Sequence, residues 1–470
     1  MNKKYDTIII GSGLAGINAA NILSAYNLKI AIIDENHFSG GQYLRKLPEN
    51  FKSNLIKYTT KIKKEGLKLV KKLQNNKNIN FYQDSTVIGI YDNNKLLFEN
   101  NGKAELIQGE TLIIATGARE KYLPFKGWTL PGVISAGALQ VFLKSNGVLP
   151  ADKILIAGTG PFLYAVAYET LVAGGKIQGI FELNGFFKQI PFGFGLMRAP
   201  TKIIEALVYM EEILRRWTKL KYGWKIIRAE GDGKLEQVML AKTDSKGDTI
   251  KGSEKTIKTN LLATGFGFIP NIELINMING ETEYKKELGG WIIKVNDELE
   301  TSIEGVFSAG ETTGIGGAEK SVIEGMLTAY SILKKMGKID STLYSKIVGK
   351  LKKKRNNYLK YAEYLNIVYS INDTHYKTVD DETIICRCED VPLKEIKNAY
   401  QNGFKSLNSL KIFTRSGMGN CQGRTCGPII TEIIKSYEKG KIPEQFKIRK
   451  PAKPVNISSL VRFYEEEVKE

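Results

Sequence analysis

Tyr5 to Ile10 is an apolar, β-branched run that ends on Gly11-Ser12-Gly13-Leu-Ala-Gly16 and passes into a small-residue stretch through Ala20 and Leu23. A second apolar run, Ile30 to Ile33, then closes on Asp34. This order leaves little choice of fold. It predicts a strand, a tight turn, a helix and a parallel strand, with Gly11 for the turn, Gly13 for close approach of a pyrophosphate, and Gly16 for close helix–strand packing. The helix N-terminus would turn its N–H groups and positive dipole end to the phosphates. Asp34, 18 residues after Gly16, is placed to bond the ribose hydroxyls of an adenosine. A lone GxGxxG string marks many turns; here the strand, the helix and the acid fall in register, and dinucleotide binding follows.

The chain is 470 residues long, more than one ordinary core, so two to four domains are expected. Phe51 to Asn94 mixes a Lys-rich amphipathic helix (Ile56 to Leu73) with strand-like runs between Asn80 and Tyr91. Leu112 to Gly117 is a buried strand that ends in the small-residue turn Ala115-Thr116-Gly117, and Ala263-Thr264-Gly265 repeats that ending. Between them, Lys153 to Leu163 forms a second strand and turn, Gly158-Thr159-Gly160. It departs from the fingerprint: Leu163 stands at the third glycine, and Glu182 is the only acid near the expected register. A second nucleotide-type domain is therefore predicted, with NAD(P)H occupancy weighed against by both departures and left open. An acid at Glu182 favours NAD over NADP if the site is used.

All four cysteines lie late in the chain, as Cys386-Arg-Cys388 and Cys421-x4-Cys426. Soft thiolates choose between zinc, iron–sulfur and disulfides. Structural zinc prefers two to four residues between knuckle ligands, so the one-residue gap suits a four-thiolate [2Fe-2S] cluster better. Cys386 and Cys388, two apart in an extended segment, would reach a single iron. Gly417, Gly419, Gly423 and Gly427 would let bare backbone approach the cluster and donate to its sulfurs.

Lys and Arg outnumber Asp and Glu by 68 to 50, but the lysines are spread through the chain and interleaved with glutamate. This argues against a nucleic-acid partner and leaves open contact with an anionic membrane surface. No apolar run approaches the length of a membrane span, and the first strand begins too early for a signal peptide. A cytoplasmic location is expected, which suits reduced thiolates. His37 and His375 sit in no motif of a proton carrier, so no catalytic acid or base is assigned.

Gly-Asn-Cys421-Gln-Gly-Arg-Thr-Cys426-Gly-Pro, with the preceding Cys-x-Cys, resembles the bacterioferritin-associated ferredoxin type of [2Fe-2S] domain. The two Ala-Thr-Gly turns, Gly40-Gly41-Gln42 and Val306-Phe-Ser-Ala-Gly310-Glu311 resemble flavoproteins of the pyridine nucleotide-disulfide oxidoreductase type. That resemblance implies FAD, with Gly41, Gln42, Thr116, Gly117, Gly310 and Glu311 among its contacts. Glu311 stands where such proteins carry Asp for the ribityl chain, and the helix after it (Glu319 to Lys335) would stabilise reduced flavin. No cysteine lies near these motifs, which excludes the redox-active disulfide of thioredoxin-reductase-like relatives.

The whole chain resembles the alpha subunits of hydrogen cyanide synthase, opine oxidase and dye-linked L-proline dehydrogenase complexes. Two Rossmann-like domains of α/β class plus a small helical cluster domain are implied. The expected order is an FAD-binding domain (1–120 and 261–335) around an NAD(P)-binding-like domain (121–260), then a helical linker (336–380), the cluster domain (381–440) and a surface tail (441–470). The resemblance implies an electron-transfer role, with the substrate pocket on a separate flavoprotein beta subunit of a hetero-oligomer. It leaves open another adenine nucleotide in place of FAD, a glycerol-3-phosphate dehydrogenase-like complex, and a self-sufficient NAD(P)H:acceptor oxidoreductase.

Overall fold

The computed structural model describes residues 3–45, 60–189, 199–438 and 440–469. Its first sheet carries, side by side, Ile79–Tyr82, Ile30–Ile33, Lys3–Ile10, Lys103–Ile114, Lys95–Asn100 and Ser85–Tyr91, and Val306–Ser308 pairs with the far half of Lys103–Ile114. The β-branched runs centre this sheet because they are buried on both faces; Ile8, Ile9, Ile30 and Ile113 are inaccessible. Its pairs are parallel except where the Ser85–Tyr91 and Lys95–Asn100 strands run back on their neighbours. The helices Leu14–Ser24 and Gly317–Lys335 pack together over it.

A second, all-parallel sheet follows the order Leu220–Tyr222, Lys176–Glu182, Lys153–Gly158, Leu262–Gly265, Val133–Ser135. Two short antiparallel strands, Ala118–Glu120 and Phe268–Pro270, take the chain between the two bodies. The strands Trp224–Glu230, Gln237–Lys242 and Lys255–Lys258 form a small antiparallel sheet beside the second body.

Asp340 caps the long helix Ser341–Val368, accepting from the Thr342 and Leu343 amides at 2.8 Å. This arm leads to the cysteine region, which is built from the ladder Ile384–Cys386 with Val391–Pro392 and the helices Leu393–Gln401, Leu407–Thr414 and Cys426–Tyr437. Its core is continuous with that of the second body: Trp128, Phe181 and Trp224 belong to one apolar cluster with Ile385, Ile430 and Phe446. Trp128 Nε1 donates to the Ile384 carbonyl at 2.6 Å, a bond that ties the two together.

The Lys-rich helix expected from Ile56 runs from Lys61 to Gln74, with residues 56–59 outside the described set. The helices not anticipated include Pro200–Arg215 of the second body, Leu407–Thr414 and, in the tail, Ile457–Lys469. The tail is anchored by Phe446, which packs on Gly417, Gly423 and Gly427, and by Val455, Leu460 and Phe463 against the first sheet.

Candidate functional site

The carboxyl ends of both parallel sheets open on one cavity of about 1590 Å³, the expected place for a ligand in such folds. Gly11, Gly13, Asp34, Gly41, Gln42, Thr116, Gly117, Gly310 and Glu311 all line it, as does Gly160 of the second turn. Gly16 and Gly158 do not. A Cβ on Gly16 would collide with the Gly11 carbonyl and one on Gly158 with that of Gly265, so both serve packing. Gly13 and Gly117, in contrast, face open space, with no heavy atom within 4 Å of a Cβ built there. Bare backbone along the wall of an elongated cavity fits the pyrophosphate and flavin of a dinucleotide.

Asp34 is buried at the end of its strand. Its Oδ2 accepts from the Ser12 amide (2.7 Å) and hydroxyl (2.6 Å), and its Oδ1 from the Asn36 amide (2.8 Å). The acid thus clamps the glycine turn. The Glu311 carboxylate lines the cavity and faces the start of the next helix. Its extra methylene lets the carboxylate fold back, so that Oε1 accepts from the Gly316 and Gly317 amides at 3.4 and 2.8 Å. The helix N-terminus, which begins at Gly317, is therefore already faced by a carboxylate. Burial pushes that carboxyl above the usual range, against the pull of Lys320 and the two amides.

Beneath this turn lies a charged group that periodicity did not single out. Lys320 and Glu324 are inaccessible and paired at 2.9 Å; Lys320 also donates to the Gly310 and Gly314 carbonyls, and Glu324 accepts from the Gly310 amide. Arg355 of the arm completes the set at 2.7 Å from Glu324. Burial raises the Glu324 carboxyl, but the two cations outweigh it and hold it below the ordinary value. The only signal in sequence was an i,i+4 Lys–Glu pair on a helix face otherwise built of small and apolar residues.

At the second turn, Glu182 is fully buried and accepts from the Gly160 and Asn184 amides at 3.0 Å each. Burial pushes it up to about 7 despite these bonds. Leu163 does not hold the helix away from the sheet, because the neighbouring strand supplies the missing room: Leu163 packs on Gly265. The end of the arm roofs this turn. Thr159 Oγ1 donates to the Tyr369 carbonyl at 3.4 Å, and Lys188 reaches the Ser370 carbonyl at 3.3 Å. His375, close by, is buried, and its imidazole is lowered to about 3 by that burial and by Lys225 and Lys188, so it stays neutral. His37 lies at the surface, paired with Asp84 at 2.7 Å.

The four cysteines come together, with contacts between the two motifs. Each thiol of Cys386 and Cys388 meets one from the other motif: Cys386 bonds with Cys426, and Cys388 with Cys421. The reason is local. The strand stops at Cys386 and the next residues turn, so Cys386 points inward and Cys388 outward. The amides of Gly417 and Glu389 donate to the Cys386 sulfur, and those of Thr425 and Gly423 to Cys421. The bond with Cys426 heads the causes that draw the Cys386 thiol down to about 6. Two pairs of thiols under backbone donors match two irons with two thiolates each. Among the described residues, no group of three or more His, Cys, Asp or Glu converges on one metal position.

The loop between Cys421 and Cys426 reaches the cavity. Arg424 and Thr425 line it together with Thr116, Gly117 and Asn271. Arg424 donates to the Ala452 carbonyl at 2.8 Å, and its own carbonyl accepts from Arg119 Nε at 3.1 Å. Arg119 is in turn held by Asn271 (2.8 Å) and Glu273 (2.7 Å). Nearby, buried Glu432 bridges Lys121 (3.1 Å) and Lys435 (2.5 Å). Arg424 lay inside the recognised motif, yet nothing in one dimension placed it against the first body.

Residues 5–172 match the pyridine nucleotide-disulphide oxidoreductase family and residues 384–436 the BFD-like [2Fe-2S] binding domain. One of the opine oxidase subunits of Agrobacterium tumefaciens is 28% identical over 98% of this chain and 92% of its own length. The HcnB subunit of hydrogen cyanide synthase from Pseudomonas aeruginosa is 28% identical over 89% of this chain and 90% of its own. In fold, the chain matches L-proline dehydrogenase from P. horikoshii with a TM-score of 0.69, over 98% of this chain and 80% of that one at 21% identity. T. acidophilum thioredoxin reductase matches with a TM-score of 0.53 at 19% identity, over 99% of its own chain but 71% of this one. The two domain matches carry FAD and a [2Fe-2S] cluster as the cofactors of this chain. No helix among the described residues is long and apolar enough to cross a membrane.

Proposed function

We propose that this flavin oxidoreductase is the electron-relay component of a hetero-oligomeric dehydrogenase or oxidase acting on an amino acid or opine, with the substrate pocket on a flavoprotein beta subunit. Bound FAD exchanges electron pairs and releases them singly, and a [2Fe-2S] cluster carries one electron at a time. Gly11, Gly13, Gly41, Gln42, Thr116 and Gly117 hold the dinucleotide along the cavity, with Gly16 and Asp34 fixing its turn. Gly310 and Glu311 close the far end over the Lys320–Glu324 pair. Cys386, Cys388, Cys421 and Cys426 hold the cluster.

One observation carries the reading. The cluster-ligand loop is itself a wall of the flavin cavity, through Arg424 and Thr425. Arg119, Asn271 and Glu273 fix that wall, so the cluster-ligand loop is tied to the flavin cavity by named hydrogen bonds. The names of the relatives, subunits of oxidases and synthases, support a partner chain. Action in the cytoplasm is part of the same proposal.

The test is an anaerobic titration of the purified chain, followed in the visible spectrum. NADH is expected to leave the flavin oxidised, while dithionite bleaches flavin and cluster together. Rapid bleaching by NADH followed by cluster reduction would overturn the relay reading and make the chain a self-sufficient NADH oxidoreductase.

A further inference from the structure

We propose that the outward side of the cysteine region is a docking surface for an acidic one-electron carrier protein. The proposal rests on the relay reading and adds where the electron leaves. Cys386 and Cys426 are buried and Cys421 is half-buried, but Cys388 is exposed. The site therefore has one side toward the flavin cavity, through Arg424 and Thr425, and one toward solvent, through Cys388.

The surface beside Cys388 is apolar where a free surface would be polar. Ile412, Phe413 and Met418 are 75%, 56% and 37% exposed. Ile412 and Phe413 stand on the helix Leu407–Thr414, whose opposite face, through Leu407 and Leu410, is in the core. Arg415, in the left-handed region with φ 63°, then turns the chain back. Gly419 comes so close to Cys388 that a side chain there would strike its Cβ, and Arg415 pairs with Glu389 at 2.8 Å. Phe413 stacks on Phe404 at 4.4 Å, which fixes it in place.

Basic groups ring this patch. Arg387 lies over the Trp128 ring at 5.4 Å, Lys405 over Tyr400 at 3.7 Å and Lys411 over Phe446 at 5.7 Å, so their charged ends are positioned on ring faces; Arg387 and Lys405 are exposed and Lys411 is half-buried. With Arg415 these are four cations, against three nearby carboxylates: Glu389, which pairs with Arg415, Asp390, and Glu438, which accepts from the hydroxyl of the Tyr400 ring under Lys405. A small apolar centre inside a charged rim is the anatomy of a transient interface, and its sign selects an acidic partner. A second copy of this chain would set the same positive rim against itself. Its small size fits a brief electron-transfer encounter. The step moves one electron from the reduced protein to the oxidised centre of the carrier; no bond forms and no proton moves.

The experiment uses the full holo-chain and two haem carriers of similar size and opposite charge: soluble cytochrome b5, which is acidic, and cytochrome c, which is basic. Binding to each oxidised carrier is measured by surface plasmon resonance, and transfer by stopped flow after stoichiometric reduction, with ferricyanide as a small acceptor. Cytochrome b5 is expected to bind, and its affinity to fall about tenfold or more between about 20 and about 200 mM salt. The double variant I412S/F413S is expected to weaken that binding about tenfold while its cluster spectrum and ferricyanide reduction stay those of the parent. Equal binding of both cytochromes, no binding of cytochrome b5 by spectrally intact protein, or parent-like binding by the double variant would overturn the proposal. So would phosphatidylserine vesicles that capture the chain through these two residues while cytochrome b5 does not. Failure of the relay shows elsewhere, as flavin and cluster that do not exchange electrons in protein that still binds cytochrome b5.

Discussion

Gly11-Ser12-Gly13 and Gly158-Thr159-Gly160 turn the chain in the same way. Gly11 has φ 104° and Gly158 φ 145°, and at each a side chain would strike a carbonyl of the next strand, Ala115 in one and Gly265 in the other. In both, an acid at the end of the following strand accepts from an amide of the turn. They differ beyond it. Both turns line the long cavity, the first through Gly11 and Gly13 and the second through Thr159 and Gly160. The first helix follows Gly16; the second follows Leu163, its packing is rescued by Gly265, and Thr159 bonds to the end of the arm. Two like turns on one cavity therefore differ in their setting: the glycine pair specifies the backbone path, whereas the surrounding chain sets the packing behind it.

The largest break in this comparison comes from Gly11→Val. The side chain would need a left-handed backbone and would meet the Ala115 carbonyl, at the centre of the first sheet. We expect a loss of several kcal/mol, and protein recovered without FAD or not recovered at all. Flavin content and the circular-dichroism melt check it; a folded, yellow protein would mean that the turn is softer than its packing indicates.

Next in size is the acid of the second turn. Glu182 is raised from 4.5 to about 7 by burial. Between these values the unfolded chain has released the proton that the folded chain still holds. Stability therefore falls as pH rises from about 4.5 to about 7, by on the order of 3 kcal/mol for this group. Glu182→Gln removes the titration, and the midpoint of denaturant unfolding should lose that slope. A variant with the slope of the parent would show that water reaches the second turn, and the contrast with a roofed site would fail.

How far sequence reached can be judged from the same parts. The fingerprint around Gly11, the two Ala-Thr-Gly strand ends and the cysteine spacing are local signals: the strand, turn and helix form at Gly11, both strands end on their small-residue turns, and the four cysteines come together. The seams between segments distant in sequence were not legible. The Arg424 contact with the first body spans 305 residues to Arg119, and no periodicity reports such a pair. The contact of Cys386 with Cys426 was not legible either, because it joins two motifs far apart in sequence. The tail helix Ile457–Lys469 does carry apolar spacing at Leu460, Val461 and Phe463, which the prolines before it masked. Glu311 was placed by resemblance to an Asp, and one methylene was enough to send its carboxylate to Gly317.

The smallest effect separates the turns most cleanly. Gly160 has φ 106° but nothing within 4 Å of an added Cβ, so Gly160→Ala is expected to cost only about 1 kcal/mol of backbone strain. Its flavin content should match the parent, because the FAD contacts proposed here lie on the first turn. Asp34→Ala frees the Ser12 amide and hydroxyl, removes the proposed ribose acceptor, and should weaken FAD retention about tenfold. Measured together by flavin release on dilution from folded protein, the pair weighs one turn against the other. Equal flavin loss in both variants would mean that the second turn holds part of the dinucleotide, and the single-cradle assignment would have to be given up.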